Sequence, residues 1–289
     1  MCRFATSTQQ MTRSDSLRCG PEQYHLRQMS MQPMLPNFVG IGTQKAGTTW
    51  LYEILRRHPS ISFPGGKEIH YWDFELNKRS IDWYQNHFDS CQPGIRCGEL
   101  TPAYCAMGVH RIERFHAALP HARLFLIMRN PIERAWSMAM MNLRRIQAKL
   151  RTEKRQVVLD VQVSDFSDQF FERQFQLPSS IRRGDYESML VRWHRFYNKS
   201  QLLLVYYDDL VRKPHQFIEN ICNHIGVEAS PLLTNQENLI NTRVFGTESP
   251  PIRDSLIAPL SAIYLSKIHA LESYLDTDLS AWLEPYHIR

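Results

Sequence analysis

The segment that most constrains the fold runs from Asn37 to Leu55, NFVGIGTQKAGTTWLYEIL. A short apolar run leads into a glycine-containing loop and then into an amphipathic stretch, which predicts strand, loop and helix in that order. The first N–H groups of such a helix are unpaired and its dipole is positive there, so the loop predicts an anion site. Glycine permits close approach of a ligand, threonine offers a hydroxyl and lysine a charge. These residues are Gly42, Gly47, Thr48, Thr49 and Lys45.

The loop departs from the nucleotide triphosphatase pattern GxxxxGK[ST]. Thr48 stands where that pattern requires its lysine, and Lys45 comes before the second glycine. The later apolar run ARLFLIMR ends in Arg129 and not in an acidic residue that would hold magnesium. The sequence therefore predicts a phosphorylated ligand and chemistry without a metal. A structural glycine turn and a P-loop nucleotide kinase are the alternatives.

Apolar and amphipathic segments alternate along the rest of the chain, which predicts an α/β protein. The expected arrangement is a P-loop-like three-layer fold, with a central parallel sheet flanked by helices. Further strands are expected near residues 61–63, at ARLFLIMR and at LLLVYYDDL. Helices are expected from the NPIERAWSMAMMNLRRIQAKL run and over 213–226 and 255–275. Residues 36–289 are predicted to form one domain, and residues 1–35 a disordered leader.

Composition narrows the classes of partner. The net charge of +5 fits an anionic ligand, and no dense basic block with interleaved aromatic residues predicts nucleic-acid binding. No run of 18 apolar residues occurs, so a membrane span is not expected. The six cysteines match no zinc pattern. Cys91 and Cys97 could pair across a turn, but reduced thiols and a cytoplasmic location are the favoured interpretation. A homodimer is left open.

Four segments carry a resemblance to the sulfotransferases that use 3′-phosphoadenosine 5′-phosphosulfate (PAPS). QKAGTTWL resembles their 5′-phosphosulfate loop, and RNPIERAWSMAM at 129–140 resembles their 3′-phosphate motif. KEIHYWD at 67–73 resembles the catalytic segment of the heparan sulfate glucosaminyl sulfotransferases, and GELTPAYC at 98–105 resembles their next loop. The resemblance covers roughly residues 37–282. It implies a sulfotransferase that uses PAPS and releases the desulfated product PAP.

The resemblance also implies which residues bind PAPS. The donor loop would consist of Lys45, Ala46, Gly47, Thr48 and Thr49. Arg129 and Ser137 would bind the 3′-phosphate, and Tyr186 is a further candidate because similar segments of bacterial sulfotransferases lie near the nucleotide. A sulfuryl group carries less charge than a phosphoryl group, so one lysine can stand in for a metal at the leaving phosphate. Lys45 is the candidate.

Glu68 matches the glutamate that acts as general base in the resembled enzymes. In an extended segment His70 would point to the same side, so it would orient Glu68 or serve as the alternative base. Trp72, Asp73 and Tyr104 are predicted to contact the acceptor, with core packing as the alternative for the two rings. Leu100 stands where the heparan sulfate enzymes carry a lysine, which disfavours a polyanionic acceptor. A small-molecule acceptor is therefore preferred over a saccharide or peptide, and a non-catalytic nucleotide-binding protein is the remaining rival.

Overall fold

The computed structural model describes residues 35–153, 163–242 and 249–287, without the side chains of residues 150–153. Residues 1–34 of the predicted leader lie outside the described residues. The described residues from Leu35 onward belong to one compact unit. The strands in the described part are β1 Phe38–Gly42, β2 Ile61–Ser62, β3 Arg96–Leu100, β4 Arg123–Met128 and β5 Leu202–Tyr206.

Helices connect and flank these strands. Before β4 they are α1 Thr48–Leu55, a π-helical turn Tyr71–Glu75, α2 Ile81–Gln85 and α3 Val109–Ala118. Between β4 and β5 they are α4 Pro131–Glu153, α5 Asp168–Phe175, α6 Pro178–Gly184 and α7 Tyr186–Trp193. After β5 they are α8 Tyr207–Arg212, α9 Pro214–Ile225, α10 Ser230–Asn235, α11 Glu237–Asn241 and α12 Asp254–Leu275. Of the helices in the described ranges, none is both long and apolar enough to cross a membrane.

The five strands form one sheet in the order β2-β3-β1-β4-β5, and each neighbouring pair is parallel. This confirms the predicted α/β class. The sequence does not predict β3. Its run RCGEL has a charged residue on each side of the glycine and lacks a continuous apolar pattern. The predicted strand LLLVYYDDL is shorter than expected, since Tyr207 begins α8.

Helices α1 and α9 pack on one face of the sheet. Their buried side chains share a core cluster with those of β1, β4 and β5; among its members are Trp50, Leu51, Ile54, Phe125, Ile127, Val205, Phe217 and Ile221. The buried residues of α1 recur at helical spacing, which is why the segment after the loop folds as a helix against the sheet. Each large apolar side chain buried here contributes about 1.5–3 kcal/mol.

The order of the strands indicates which edge of the sheet carries the candidate site. The chain leaves β1 toward β2 and β3 on one side and then reaches β4 on the other, so the order reverses at β1. In open parallel sheets ligands bind at the carboxyl ends of the strands on either side of such a reversal. The segments that follow β3, β1 and β4 therefore meet at one edge.

Cys91 and Cys97 form a disulfide, so the preference for reduced thiols at these two positions is wrong. The intervening turn, closed by a hydrogen bond from the Ile95 N–H to the Gln92 carbonyl at 3.1 Å, brings their Cα atoms within 6.3 Å. That separation falls in the range that a disulfide spans. The other described cysteines, Cys105 and Cys222, are free and buried.

Candidate active site

The N-terminus of α1 is open to an anion. Its N-cap residue Gly47 has φ 84°, a left-handed conformation that favours glycine, and supplies no side-chain cap. The first turn of the helix contains no acidic residue. The uncapped N–H groups and the positive end of the dipole therefore face the loop without a local negative charge.

Lys45 lies in this loop among other cations. Burial lowers the pKa of its ammonium group, and repulsion from Arg144, Arg129 and Arg145 lowers it further. Like charges brought together in this way raise the energy of the site, and a ligand with several negative charges relieves the repulsion. The neighbouring hydroxyls differ in access, because Thr48 is 5% exposed whereas Thr49 is exposed. Ala46 is buried beneath the loop.

Arg129 joins the loop to the end of β4. Its guanidinium donates to the carbonyl oxygen of Lys45 at 3.0 Å and to the Oε2 of Glu133 at 3.0 and 3.2 Å. It also lies over the ring of Tyr207, 4.5 Å from the centroid. Ser137 follows Glu133 by one helical turn on α4 and is half-buried. Three contacts fix the plane of Arg129, so its remaining donors are oriented before a ligand arrives.

Tyr186 holds the main chain of Arg129. Its hydroxyl donates to the Arg129 carbonyl at 2.8 Å and accepts from the Arg129 N–H at 3.1 Å. The side chain is 1% exposed, and burial raises the pKa of the phenol to about 12. The structure thus places Tyr186, the predicted nucleotide contact, in the core, where its hydroxyl holds the main chain of Arg129.

Glu68, His70 and Asp73 form a continuous array. His70 Nε2 lies 3.1 Å from Oε2 of Glu68, and Nδ1 lies 3.1 Å from both carboxylate oxygens of Asp73. Lys67 Nζ contacts the other oxygen of Glu68. In the described parts of the chain no group of three or more His, Cys, Asp or Glu side chains is arranged to hold a metal ion.

The two carboxylates set the charge of the array. Hydrogen bonds to Asp73 and Glu68 raise the pKa of His70 to about 10, so the imidazole is protonated near neutral pH. Burial by itself would raise the pKa of Glu68, but the hydrogen bonds from His70 and Lys67 outweigh it and lower the pKa. Glu68 is therefore ionised and able to accept a proton. A protonated His70 cannot serve as a base.

The loop after β3 anchors the backbone of this array. The Ile69 N–H donates to Oε2 of the buried Glu99 and to Thr101 Oγ1, both at 3.2 Å. The Leu100 N–H donates to the carbonyl of Lys67 at 2.7 Å. Glu99 in turn accepts from Tyr84 and Thr101, each at 2.6 Å. The carboxylate of Glu99 thus ties the Glu68 segment to the end of β3.

Two predicted acceptor contacts are core residues. Trp72 is 2% exposed and packs edge-on against Phe115 at 5.2 Å. Tyr104 is fully buried, and its hydroxyl accepts from the Tyr71 N–H at 3.0 Å and donates to Glu99 at 3.2 Å. Both rings are buried, which supports core packing as the interpretation of both. Asp73, the third predicted acceptor residue, lines a cleft.

Sequence reasoning missed Glu99 and Glu133. Glu99 lies inside GELTPAYC, but nothing local shows that its carboxylate reaches Ile69 across thirty positions. Glu133 is four residues after Arg129, a spacing that could have signalled an ion pair. The next residue, Arg134, is fully buried and donates to the Ser180 carbonyl at 2.7 Å.

Adjacent strands bring the pieces together. The Glu68 array is bonded to the end of β3, the Lys45 loop follows β1, and Arg129 follows β4. β1 pairs with both β3 and β4 in parallel, so the three ends share one edge of the sheet. The end of β1 contacts the loop after β3, because a Cβ added to Gly42 would lie 2.9 Å from the Cys105 side chain. The Glu68 array and the cationic Lys45 loop thus lie at neighbouring strand ends.

Comparison with known proteins identifies the family of the chain. A sequence model for a family described as Sulfotransferase domain matches residues 36–245. The chain is similar to the membrane-associated sulfotransferase kil1 of Dictyostelium discoideum, with 39% identity over 106 residues, 36% of this chain and 22% of that protein. It is similar to heparan sulfate glucosamine 3-O-sulfotransferase 5 of Mus musculus, with 27% identity over 208 residues, 70% of this chain and 57% of that protein. The chain thus spans well under two thirds of the length of these curated relatives.

A solved structure shares the fold. The sulfotransferase from Alicyclobacillus acidocaldarius superimposes with a TM-score of 0.62 at 24% sequence identity. The match covers 86% of this chain and 99% of the bacterial chain. The parallel sheet with flanking helices is therefore the architecture of a known sulfotransferase.

Proposed function

The chain belongs to the sulfotransferase family, and from this premise we propose that it transfers the sulfuryl group of PAPS to a hydroxyl or amine of a small-molecule acceptor. One observation carries the proposal. The Glu68 array is hydrogen-bonded to the end of β3, whereas the Lys45 loop follows β1 and Arg129 follows β4, so the three groups lie at one edge of the sheet. Sulfuryl transfer needs a base for the acceptor and an anion site for the donor, and the placement of Glu68 and of the Lys45 loop supports these two roles.

The donor half fits a nucleotide with several phosphates. The uncapped start of α1 and the Lys45 ammonium suit the 5′-phosphosulfate, whereas Arg129, oriented by Glu133, suits the 3′-phosphate together with Ser137. The lowered pKa of Lys45 makes its proton easier to give up. Lys45 would stabilise the departing 5′-phosphate by its charge or by donating that proton.

The acceptor half supplies the base. The acceptor oxygen or nitrogen forms a bond to sulfur while the bond from sulfur to the 5′-phosphate oxygen breaks, and Glu68 takes the acceptor proton. PAP is the product. His70, held by Asp73, keeps Glu68 ionised and oriented. His70 would take over as base only in a neutral form, which its raised pKa disfavours.

A saccharide is the second candidate for the acceptor. It is favoured by the alignment of 70% of this chain with a mouse enzyme named for heparan sulfate glucosamine. The argument against it from Leu100 is weak in this structure, because the Leu100 side chain is fully buried in the core cluster and does not reach a cleft. The charge around the acceptor must be set by other residues.

The cytoplasmic location stays a prediction. The Cys91–Cys97 disulfide weighs against it, because disulfides persist in oxidising compartments and are rare in the cytosol. Thiol labelling in intact cells distinguishes the two cases. In an oxidising compartment Cys91 would be held in the disulfide and would not react with the thiol label, whereas in the cytoplasm its free thiol would react.

Sulfate transfer from radiolabelled PAPS to a panel of phenols, alcohols, amines and disaccharides tests the proposed function. We expect transfer to at least one acceptor, and we expect Glu68→Gln to lower it by about 10²–10⁴ with PAP affinity unchanged. The matched control is Lys199→Gln, since Lys199 is exposed in the turn before β5. PAP binding without any transfer would indicate the non-catalytic nucleotide-binding protein, and phosphate transfer from ATP would indicate a kinase.

A further inference from the structure

A second group of cations lies outside the donor site, around a cleft of about 290 Å³. Three arginines and one carboxylate line it, together with small and apolar residues. The residues that matter for the argument are Asp73, Met107, Arg111, Ser179, Arg182 and Arg183. The single carboxylate, Asp73, is already bonded to His70 Nδ1 through both oxygens at 3.1 Å. The cleft therefore carries a net positive charge.

Main-chain oxygens do not neutralise these arginines. Arg111 donates to the carbonyls of Trp72 and Asp73 at 2.7 and 2.6 Å, and Arg183 donates to the carbonyl of Ser179 at 3.1 Å. The Nε of Arg183 is buried and has no hydrogen-bond acceptor within the described ranges. A buried donor without an acceptor costs free energy, and no carboxylate bonded to Arg183 balances its charge in the described ranges.

The helix dipole accounts for only part of this arrangement. Arg182 and Arg183 occupy the last turn of α6, where cations interact favourably with the negative end of a helix. That interaction explains the contact from Arg183 to Ser179. It does not explain the unpaired Nε, nor why Arg111 from α3 faces the same cleft.

The cleft adjoins the catalytic array and not the donor loop. Asp73 is a wall of the cleft and also the partner of His70, which contacts Glu68. The rest of the lining includes Met107 and Gly108, which follow the loop after β3. A molecule bound here would contact Asp73, which is connected through His70 to Glu68, the proposed base.

We propose that this cleft binds an anionic group of the acceptor, a carboxylate, sulfate or phosphate, and that Arg182 and Arg183 select for it. Guanidinium groups bind planar or tetrahedral oxyanions with paired hydrogen bonds, which fits two adjacent arginines. The inference rests on the proposed function and names the class of acceptor that the site takes.

Calorimetry on protein saturated with PAP tests this proposal, because bound PAP occupies the sites that hold the phosphates of the donor. The probes are 4-hydroxybenzoate and glucuronate, each compared with its methyl ester, which has nearly the same shape without the charge. We expect the acid of at least one pair to bind about 10–100-fold more tightly than its ester. The double substitution Arg182→Gln, Arg183→Gln should remove that preference, whereas Lys199→Gln should retain it. Arg182→Gln alone changes an exposed side chain and should lower the preference in a folded protein.

Equal affinities of acid and ester in both pairs would overturn the inference. So would a double variant that loses PAP affinity as much as acid affinity, because the arginines would then belong to the donor site. Transfer of sulfate to neutral acceptors without any acid preference would support the proposed function and contradict the anion-binding cleft. Binding of the acids without transfer to any acceptor would support the anion-binding cleft and contradict the proposed function.

Discussion

Replacing His70 with glutamine tests whether the array holds a charged imidazolium between two carboxylates. Glutamine keeps a polar side chain of similar reach but carries no charge. If His70 is protonated in the folded protein, the substitution removes its attraction to Glu68 and Asp73. The variant should then be less stable than the wild type, by an amount that depends on pH.

The magnitude follows from the raised pKa. A rise from 6.5 to about 10 corresponds to about 5 kcal/mol if it were expressed fully as stability. The His70 side chain is 41% exposed, so water screens the attraction and we expect about 1–2 kcal/mol. The folded pKa lies above the unfolded one. The contribution is therefore complete below about pH 6.5 and is lost as the pH rises toward about 10.

Urea unfolding of wild type and His70→Gln at pH 6, 8 and 10 measures this difference. We expect the gap in unfolding free energy to be largest at pH 6, smaller at pH 8 and near zero at pH 10. His110→Gln is the matched control, because the His110 side chain is 99% exposed and its loss should change little at any pH. A gap for His70→Gln that is the same at pH 6 and pH 10 would refute the reasoning, and a neutral His70 would again be a candidate base.

Four further outcomes are expected. Arg129→Ala should weaken PAP binding by about 1.5–3 kcal/mol by calorimetry, and wild type should bind PAP far better than ADP; equal affinities would contradict the 3′-phosphate assignment. The pH profile of sulfate transfer should have its acidic limb below the ordinary carboxylate value of 4.5, since the pKa of Glu68 is lowered, and a limb persisting in Glu68→Gln would exclude it as the base. Glu99→Leu should destabilise the protein by about 2–4 kcal/mol in urea unfolding, because several buried donors lose their acceptor; unchanged stability would count against the anchoring of the Glu68 segment. Transfer should survive EDTA, and a loss restored by Mg²⁺ would revive the kinase interpretation.

The strand, loop and helix of the donor half could be predicted from the sequence because they are consecutive along the chain. The strand, the loop around Lys45 and the helix after it are consecutive, and apolar spacing alone specifies where each begins. Arg129 could be placed at a strand end for the same reason, since ARLFLIMR is a continuous buried run. Glu68 and His70, two residues apart, could be expected on one side of the chain, and the structure joins them.

Tertiary structure decided what depends on distant neighbours. Whether Trp72 and Tyr104 are core or surface follows from the burial that other segments impose on them, and no spacing within KEIHYWD or GELTPAYC encodes it. The hydrogen bond from the Ile69 N–H to Glu99 joins residues 30 positions apart, and those between Tyr186 and Arg129 join residues 57 positions apart. Hydrophobic periodicity indicates which side of a helix or strand is buried, but it does not indicate which other element packs against that side. Side-chain hydrogen bonds between elements, and the charge of a cleft shared by several of them, arise only when the sheet brings those elements together.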